Sequence, residues 1–235
     1  MFNRITQRYG AELDATMRSV VDNLTLPNAP EFGIMLRYPL GWVDETGATY
    51  EGSTGKRLRP TLLMLCAEAC GGDWHQALPA AAAVELLHNF SLVHDDIQDD
   101  SPTRHGRPTV WKLWGKPDAI NVGDALFSLA YIALEGLAEA GVERSIVLRA
   151  WSIFNATNLE LTRGQHLDMR FELQETVTVD EYISMITGKS AALLAACTQL
   201  GALIGTGNER LANRYRDFGL NLGIAFQIHD DILGI

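Results

Sequence analysis

The chain has 235 residues, 47% of them hydrophobic, and its 19 lysines and arginines against 29 aspartates and glutamates leave a net charge of −10. That size and apolar content suit one substantial core, and the acidic balance excludes a nucleic-acid footprint or electrostatic attachment to an anionic membrane surface. Cys66, Cys70 and Cys197 are too few, and odd in number, for a disulfide framework, which points to a reducing, cytoplasmic setting.

In chain order, "MFNRITQRYGAELDATM" mixes acids and bases without an apolar stretch, so it is not a signal peptide. "LPNAPEFGIMLRYPLGWVDETGATYEGSTGKRLRP" reads as a long Gly/Pro-rich connection. Its end places Lys56, Arg57 and Arg59 on a glycine-flanked loop entering a helix at Pro60, where spare backbone N–H groups also favour an anion. "PTLLMLCAEACGG" is a helix opened by Pro60 and stopped by Gly71 and Gly72, with Cys66 and Cys70 as small core residues one turn apart. "LPAAAAVELLHNFSLVHDDIQDD" is the next helix, with Pro79 near its first turn, and "SPTRHGRPTVWKLWGKPD" is a polar loop. Further helices follow in "VGDALFSLAYIALEGLAEAG", "ERSIVLRAWSIFNATNLELTRGQHLDM", "VDEYISMITGKSAALLAACTQLGALIG" and "ERLANRYRDFGLNLGIAFQIHDDILGI". The longest apolar run, "SAALLAACTQLGALIG", is short of a membrane span and reads as a buried helix, so no stable membrane anchor is expected. Long Ala/Leu-rich segments closed by glycine, without alternating strand character, make this an all-α chain.

The helix ending in Asp95, Asp96, Asp99 and Asp100 poses a physical problem. Asp95 faces Asp99, and Asp96 faces both Asp99 and Asp100; each like-charge pair costs roughly 0.2–0.5 kcal/mol on an isolated helix. Pro102 disfavours helix at Ser101, so the acids occupy the last turn, where the macrodipole is already negative. A cation resolves the conflict. Oxygen ligands at helical spacing suit Mg²⁺, which takes one or two carboxylates and completes its octahedron with water and substrate phosphate.

"IHDDI" at 228 to 232 echoes "VHDDI" at 93 to 97: Asp230 and Asp231 again follow an apolar helix, with Gln227 one turn earlier. The expectation is two acidic helix ends facing one another in a bundle, with diphosphate held between them through several metal ions. His88 lies two turns before Asp95 on the same stripe, in reach of a second anion. Arg104, His105 and Arg107 follow the acids, and Lys189 interrupts an apolar helix. Two acidic ends and two basic clusters imply two anionic groups, one held through metal and one held directly.

These residues resemble the trans-isoprenyl diphosphate synthases, the polyprenyl synthetase family. "GKRLRP", "HNFSLVHDDIQDD", "RHGRPT", "GQHLD", "GKSAALLAA" and "FQIHDD" occur in the family's order from about Gly55 onward, most like bacterial geranylgeranyl or farnesyl diphosphate synthases. The resemblance implies a single-domain helical bundle around a central cavity over residues 1–235, stopping short of the further helices with which relatives continue. It assigns Asp95, Asp96, Asp99, Asp230 and Asp231 to Mg²⁺, with several ions in the site, and Lys56, Arg59, His88 and His105 to isopentenyl diphosphate. It assigns Arg104, Lys189, Ser190 and Gln227 to the allylic substrate, with Arg104 and Lys189 among the catalytic group, and Phe90 and Ser91 to the pocket that sets product length. The implied reaction is ionisation of the allylic C–O bond, attack of the isopentenyl double bond on the cation, and loss of a proton to the departing diphosphate. The implied product is C20 geranylgeranyl diphosphate, with C15 farnesyl diphosphate as the alternative, and the implied assembly is a homodimer.

Two departures stand out: His105 replaces the family's usual second arginine, and Gly234 replaces the third aspartate of the second motif. A non-catalytic partner subunit of a prenyl synthase is the nearest rival; the intact first motif with Lys56, Arg59 and His88 argues against it, and Gly234 and the early stop argue mildly for it. A terpene cyclase has no need of "GKRLRP", and a ferritin-type dimetal oxidase needs two Glu-x-x-His motifs where only Glu85 and His88 supply one.

Overall fold

The structure is a computed structural model that describes residues 2–23, 28–50, 52 and 55–233. Gly234 lies outside the described residues. The chain is all-α, with one two-residue hairpin among the described residues. Its contacts gather into two compact units, residues 1–58 with 82–136 and residues 59–81 with 137–235.

The first unit opens with α1 (Phe2–Asp22), where the sequence signalled only the lack of a leader. Tyr9, Leu13, Met17 and Val21 recur every fourth residue and are all buried, which is the apolar stripe a packed helix needs. The Gly/Pro-rich connection is not all loop. It contains α2 (Pro30–Arg37), with Pro30 in its first turn, Glu31 near its start and Arg37 near its end, each charge suited to the helix dipole. Arg37 reaches Asp22 at 2.6 Å and so ties α2 to the end of α1.

α4 (Leu78–Gln98) enters this unit at Ala82 and is buried from Ala82 through Leu87, polar Glu85 included. Beyond it, the expected polar loop is ordered: β1 (Thr103–Arg104) pairs with β2 (Arg107–Pro108), and α5 (Val110–Trp114) follows. His105 and Gly106 form the two-residue turn at φ 50° and 78°, the left-handed pair that a tight hairpin requires. α6 (Lys116–Glu139) buries Val122, Leu126, Leu129 and Ala133 at three- and four-residue spacing. Among the described residues it is the one helix long and apolar enough to cross a membrane.

The second unit holds α3 (Leu58–Ala69) from Arg59 onward, α7 (Arg144–Phe171), α8 (Val179–Ile186), α9 (Ala192–Thr206) and α10 (Glu209–Leu233). Residues 193–204 of α9 are all buried, as the apolar run predicted. Cys66 is buried on α3, and burial pushes its thiol up to about 12, so it is an inert core residue. Thr178 and Glu181 form a reciprocal capping box that starts α8 sharply. Between α8 and α9 the chain widens into a π turn, Thr187–Ala191, where the sequence predicted one uninterrupted helix. Such turns concentrate at functional positions, and this one carries Lys189 and Ser190.

Candidate functional site

The sequence-predicted residues divide between the units. Lys56, His88, Phe90, Ser91, Asp95, Asp96, Asp99, Arg104 and His105 lie in the first; Arg59, Lys189, Ser190, Gln227, Asp230 and Asp231 lie in the second.

In the first unit, α4 ends at Gln98, with Asp99 and Asp100 in the turn beyond it. The Asp99 N–H still donates to the Asp95 carbonyl at 2.9 Å, so the two carboxylate-bearing residues stay one helical turn apart. Asp95 is half-buried, Asp96 is buried and Asp99 is exposed. The hairpin brings Arg104 onto this end: its Nε donates to Asp96 Oδ1 at 2.8 Å, and its Nη2 stands 3.6 Å from Asp95. Burial holds the Asp96 carboxyl above the ordinary range; Arg104 pulls it down, and the Asp95 and Asp99 charges push it up. Lys116 pairs with Asp100, which removes the outermost carboxylate from the cluster.

Among the described residues no three His, Cys, Asp or Glu side chains form a ready-made metal cage. Mg²⁺ needs none, because one or two carboxylates suffice when water and phosphate oxygens fill the remaining positions. Asp95 and Asp99 fit that requirement, whereas Asp96 is committed to Arg104 in this arrangement.

The basic loop is more divided than its sequence. Arg57, at φ 45°, turns inward to Asp14 at 3.2 Å and Glu85 at 3.8 Å and is used in holding the loop to α1 and α4. Lys56 beside it is exposed, and His88 is half-buried one turn along α4 from Glu85. The lone Glu-x-x-His match thus has its glutamate in an ion pair. Ser91 donates to the His88 carbonyl at 2.8 Å. Phe90 packs against His94 and against Phe127 of α6 at 4.8 and 5.1 Å between centroids, and Phe127 continues the row to Tyr131.

In the second unit, α7 crosses the π turn glycine against glycine: a Cβ on Gly164 would lie 2.0 Å from the Lys189 backbone nitrogen, and one on Gly188 would lie 2.7 Å from the Glu160 carbonyl oxygen. That approach lets Lys189 Nζ reach Asp168 Oδ2 at 2.5 Å. Ser190 donates to Gln227 Oε1 at 2.6 Å, Gln227 Nε2 donates to Asp231 Oδ1 at 2.8 Å, and the Tyr182 hydroxyl donates to Asp231 Oδ2 at 2.6 Å. Burial, the Asp231 hydrogen bond and the Asp231 charge push Tyr182 up to about 12, so it stays a donor at neutral pH. Both Asp231 oxygens are therefore engaged, while Asp230 is exposed. Arg59 is half-buried on α3. Sequence reasoning missed Asp168 and Tyr182 as site residues; Asp168 stands inside "GQHLD", and its partner is 21 positions away across a contact that only small residues permit.

A polyprenyl synthetase family profile matches residues 41–235. The chain belongs to the polyprenyl synthetase family. A polyprenyl synthetase relative, the geranylgeranyl diphosphate synthase of Mycobacterium tuberculosis, is 40% identical over 98% of this chain and 64% of its own length. The (2E,6E)-farnesyl diphosphate synthase of Mycobacterium bovis is 43% identical over 94% of this chain and 59% of its own length. The crystal structure of a polyprenyl synthetase from Streptomyces coelicolor superposes with a TM-score of 0.90 at 37% identity, covering 100% of this chain and 67% of that one. The geranylgeranyl pyrophosphate synthetase of Pyrococcus horikoshii gives a TM-score of 0.86 at 38% identity over 99% of this chain and 65% of that one. The chain thus spans roughly three fifths of the curated relatives just named.

Proposed function

We propose that this protein is a Mg²⁺-dependent prenyltransferase that condenses isopentenyl diphosphate with an allylic diphosphate, head to tail and trans, and that its main product is geranylgeranyl diphosphate. The observation that carries this reading is the acidic end of α4 with Arg104 laid on it, in a family whose relatives are named for such products. Mg²⁺ held by the acidic end of α4, Asp95 and Asp99 foremost, would neutralise the allylic diphosphate and ease departure of its oxygen.

Arg104 has N–H donors beyond the one spent on Asp96, and a guanidinium suits phosphate oxygens. Lys189, kept in place by Asp168, supplies positive charge where negative charge grows on the leaving group. Ser190 and Gln227 orient Asp231, and Asp230 is the exposed carboxylate of that end. Lys56, Arg59, His88 and His105 receive isopentenyl diphosphate without metal. The homodimeric state and cytoplasmic setting belong to the same proposal.

The test is incubation of the full protein with isopentenyl diphosphate, Mg²⁺ and C5, C10 or C15 allylic diphosphates, followed by chromatography of the dephosphorylated products. A C20 product supports the proposal; no product from any starter would favour the non-catalytic subunit reading. Arg59→Ala should raise KM for isopentenyl diphosphate at least tenfold more than KM for the allylic substrate, since the latter is held chiefly through metal. Equal effects on both would show the two anion sites to be misassigned.

The family resemblance puts the floor of the product pocket in the turn below Asp95, and the proposed product length rests on it. Ser91 lies one turn, about 5.4 Å, beneath it and is small, whereas Phe90 fills space against Phe127. Phe90→Ala should lengthen the product beyond C20 and Ser91→Phe should shorten it towards C15. An unchanged product distribution in both would put the floor of the pocket on another helix.

A further inference from the structure

Arg107 is the cross-strand partner of Arg104 in the hairpin. Two guanidinium groups on one rung repel, so each needs its own partner. Arg104 has the carboxylates of α4, and Arg107 finds a site of a different kind. Its guanidinium lies between two aromatic rings, 4.0 Å from the centroids of both Tyr38 and Tyr50. Its N–H groups donate to the Val43 carbonyl at 2.8 Å and the Tyr38 carbonyl at 3.4 Å. A lysine cannot occupy such a slot equivalently, because it lacks a flat group to fill the gap between rings and a fork to reach two carbonyls.

The receiving platform is itself ordered. Val43 bridges to Thr49, and Asp44 accepts from the Thr46 and Ala48 N–H groups at 2.9 and 3.0 Å. The Tyr38 hydroxyl returns a bond to the Pro108 carbonyl at 2.8 Å, and the Tyr38 ring meets Trp114 edge-on at 5.2 Å. At the foot of the hairpin, Thr109 and Trp111 both donate to the Ser101 carbonyl, at 2.9 and 2.8 Å. The hairpin is thus fastened at Ser101 and at Arg107, and Arg104 lies between those points.

We infer that Arg107 is a positioning residue: clamped by Tyr38 and Tyr50, it fixes the rung from which Arg104 engages the acidic end of α4, and so sets the affinity for a metal-bound diphosphate. This rests on the proposed function for the meaning of that affinity, so it is tested by a measurement that needs no turnover. Calorimetric titration with inorganic diphosphate and Mg²⁺ is run on the full protein and on Arg107→Ala, Arg107→Lys, Arg104→Ala and the double variant Arg104→Ala/Arg107→Ala. Arg107→Ala should weaken binding about tenfold, the usual scale for a supporting residue of a metal or anion site. Arg107→Lys should not restore it, and the double variant should bind no more weakly than Arg104→Ala alone, because Arg107 acts through Arg104. Wild-type affinity in Arg107→Ala, or a double variant whose loss is the product of the two single losses, would overturn the inference. Should Arg107→Ala fail to fold, Tyr50→Leu carries the same expectations, since it removes one ring and leaves both carbonyl bonds. Absence of Mg²⁺–diphosphate binding by the wild type overturns the inference and the proposed function together, whereas binding without prenyl transfer counts against the proposed function alone.

Discussion

Asp95→Asn and Asp99→Asn are each expected to lower kcat/KM by about 10³-fold, roughly 4 kcal/mol of transition-state stabilisation, the scale of a Lewis-acid metal losing a ligand. The apo fold should not suffer. Both substitutions remove charge from a crowded helix C-terminus, where like charges and the dipole act together. Asp96→Asn makes a sharper comparison. Burial raises the Asp96 carboxyl above its unfolded value, so its share of folding stability is fully present only below the ordinary aspartate range and is lost as pH rises through the folded value. At neutral pH the charged form burdens the apo protein, and an asparagine Oδ1 still accepts from Arg104. Asp96→Asn should therefore raise or preserve the apo melting temperature at pH 7, with the gain vanishing in acid. Near-normal turnover of Asp95→Asn or Asp99→Asn, or full activity in EDTA, would remove the metal assignment.

The parts of this protein that could be read from sequence are those where one strong local signal meets no competitor. α4 combines a largely apolar run, Pro79 at its start and Pro102 past its end, and its acids are conspicuous because the helix dipole opposes them. The buried α9 was equally plain from its Ala/Leu content. By contrast, α2 and the hairpin sit in stretches dense with glycine and proline, where turn chemistry masks short elements that tertiary contacts hold in place. The basic loop misled for a related reason. Adjacent Lys56 and Arg57 look alike as charges, but a positive φ and the buried Glu85 divide them into an exposed cation and an anchor. Long-range pairs were beyond periodicity altogether: Asp168 with Lys189 and Tyr182 with Asp231 depend on where helices cross.

The glycine contact between α7 and the π turn is where fold and site are most tightly joined, and Gly164→Ala should expose that dependence. The added methyl would lie 2.0 Å from the Lys189 backbone nitrogen and 2.5 Å from the Gly188 carbonyl carbon, neither of which can swing aside as a side-chain tip can. Separating the two segments costs about 1–3 kcal/mol as overpacking, and more where backbone must move, against a helix-propensity gain of about 1 kcal/mol. A net loss of about 2 kcal/mol is expected. The same displacement carries Lys189 away from Asp168 and Ser190 away from Gln227, so the proposed prenyl transfer should fall by more than tenfold under conditions where the variant remains folded. Gly10→Ala is the control, because no atom lies within 4 Å of its added methyl and α1 should gain roughly 0.5–1 kcal/mol from the better helix former. Urea unfolding and initial-rate kinetics on the two variants separate the effects. Gly164→Ala as stable as the parent would mean that the helices part without strain and that their close approach is not what holds Lys189 on Asp168.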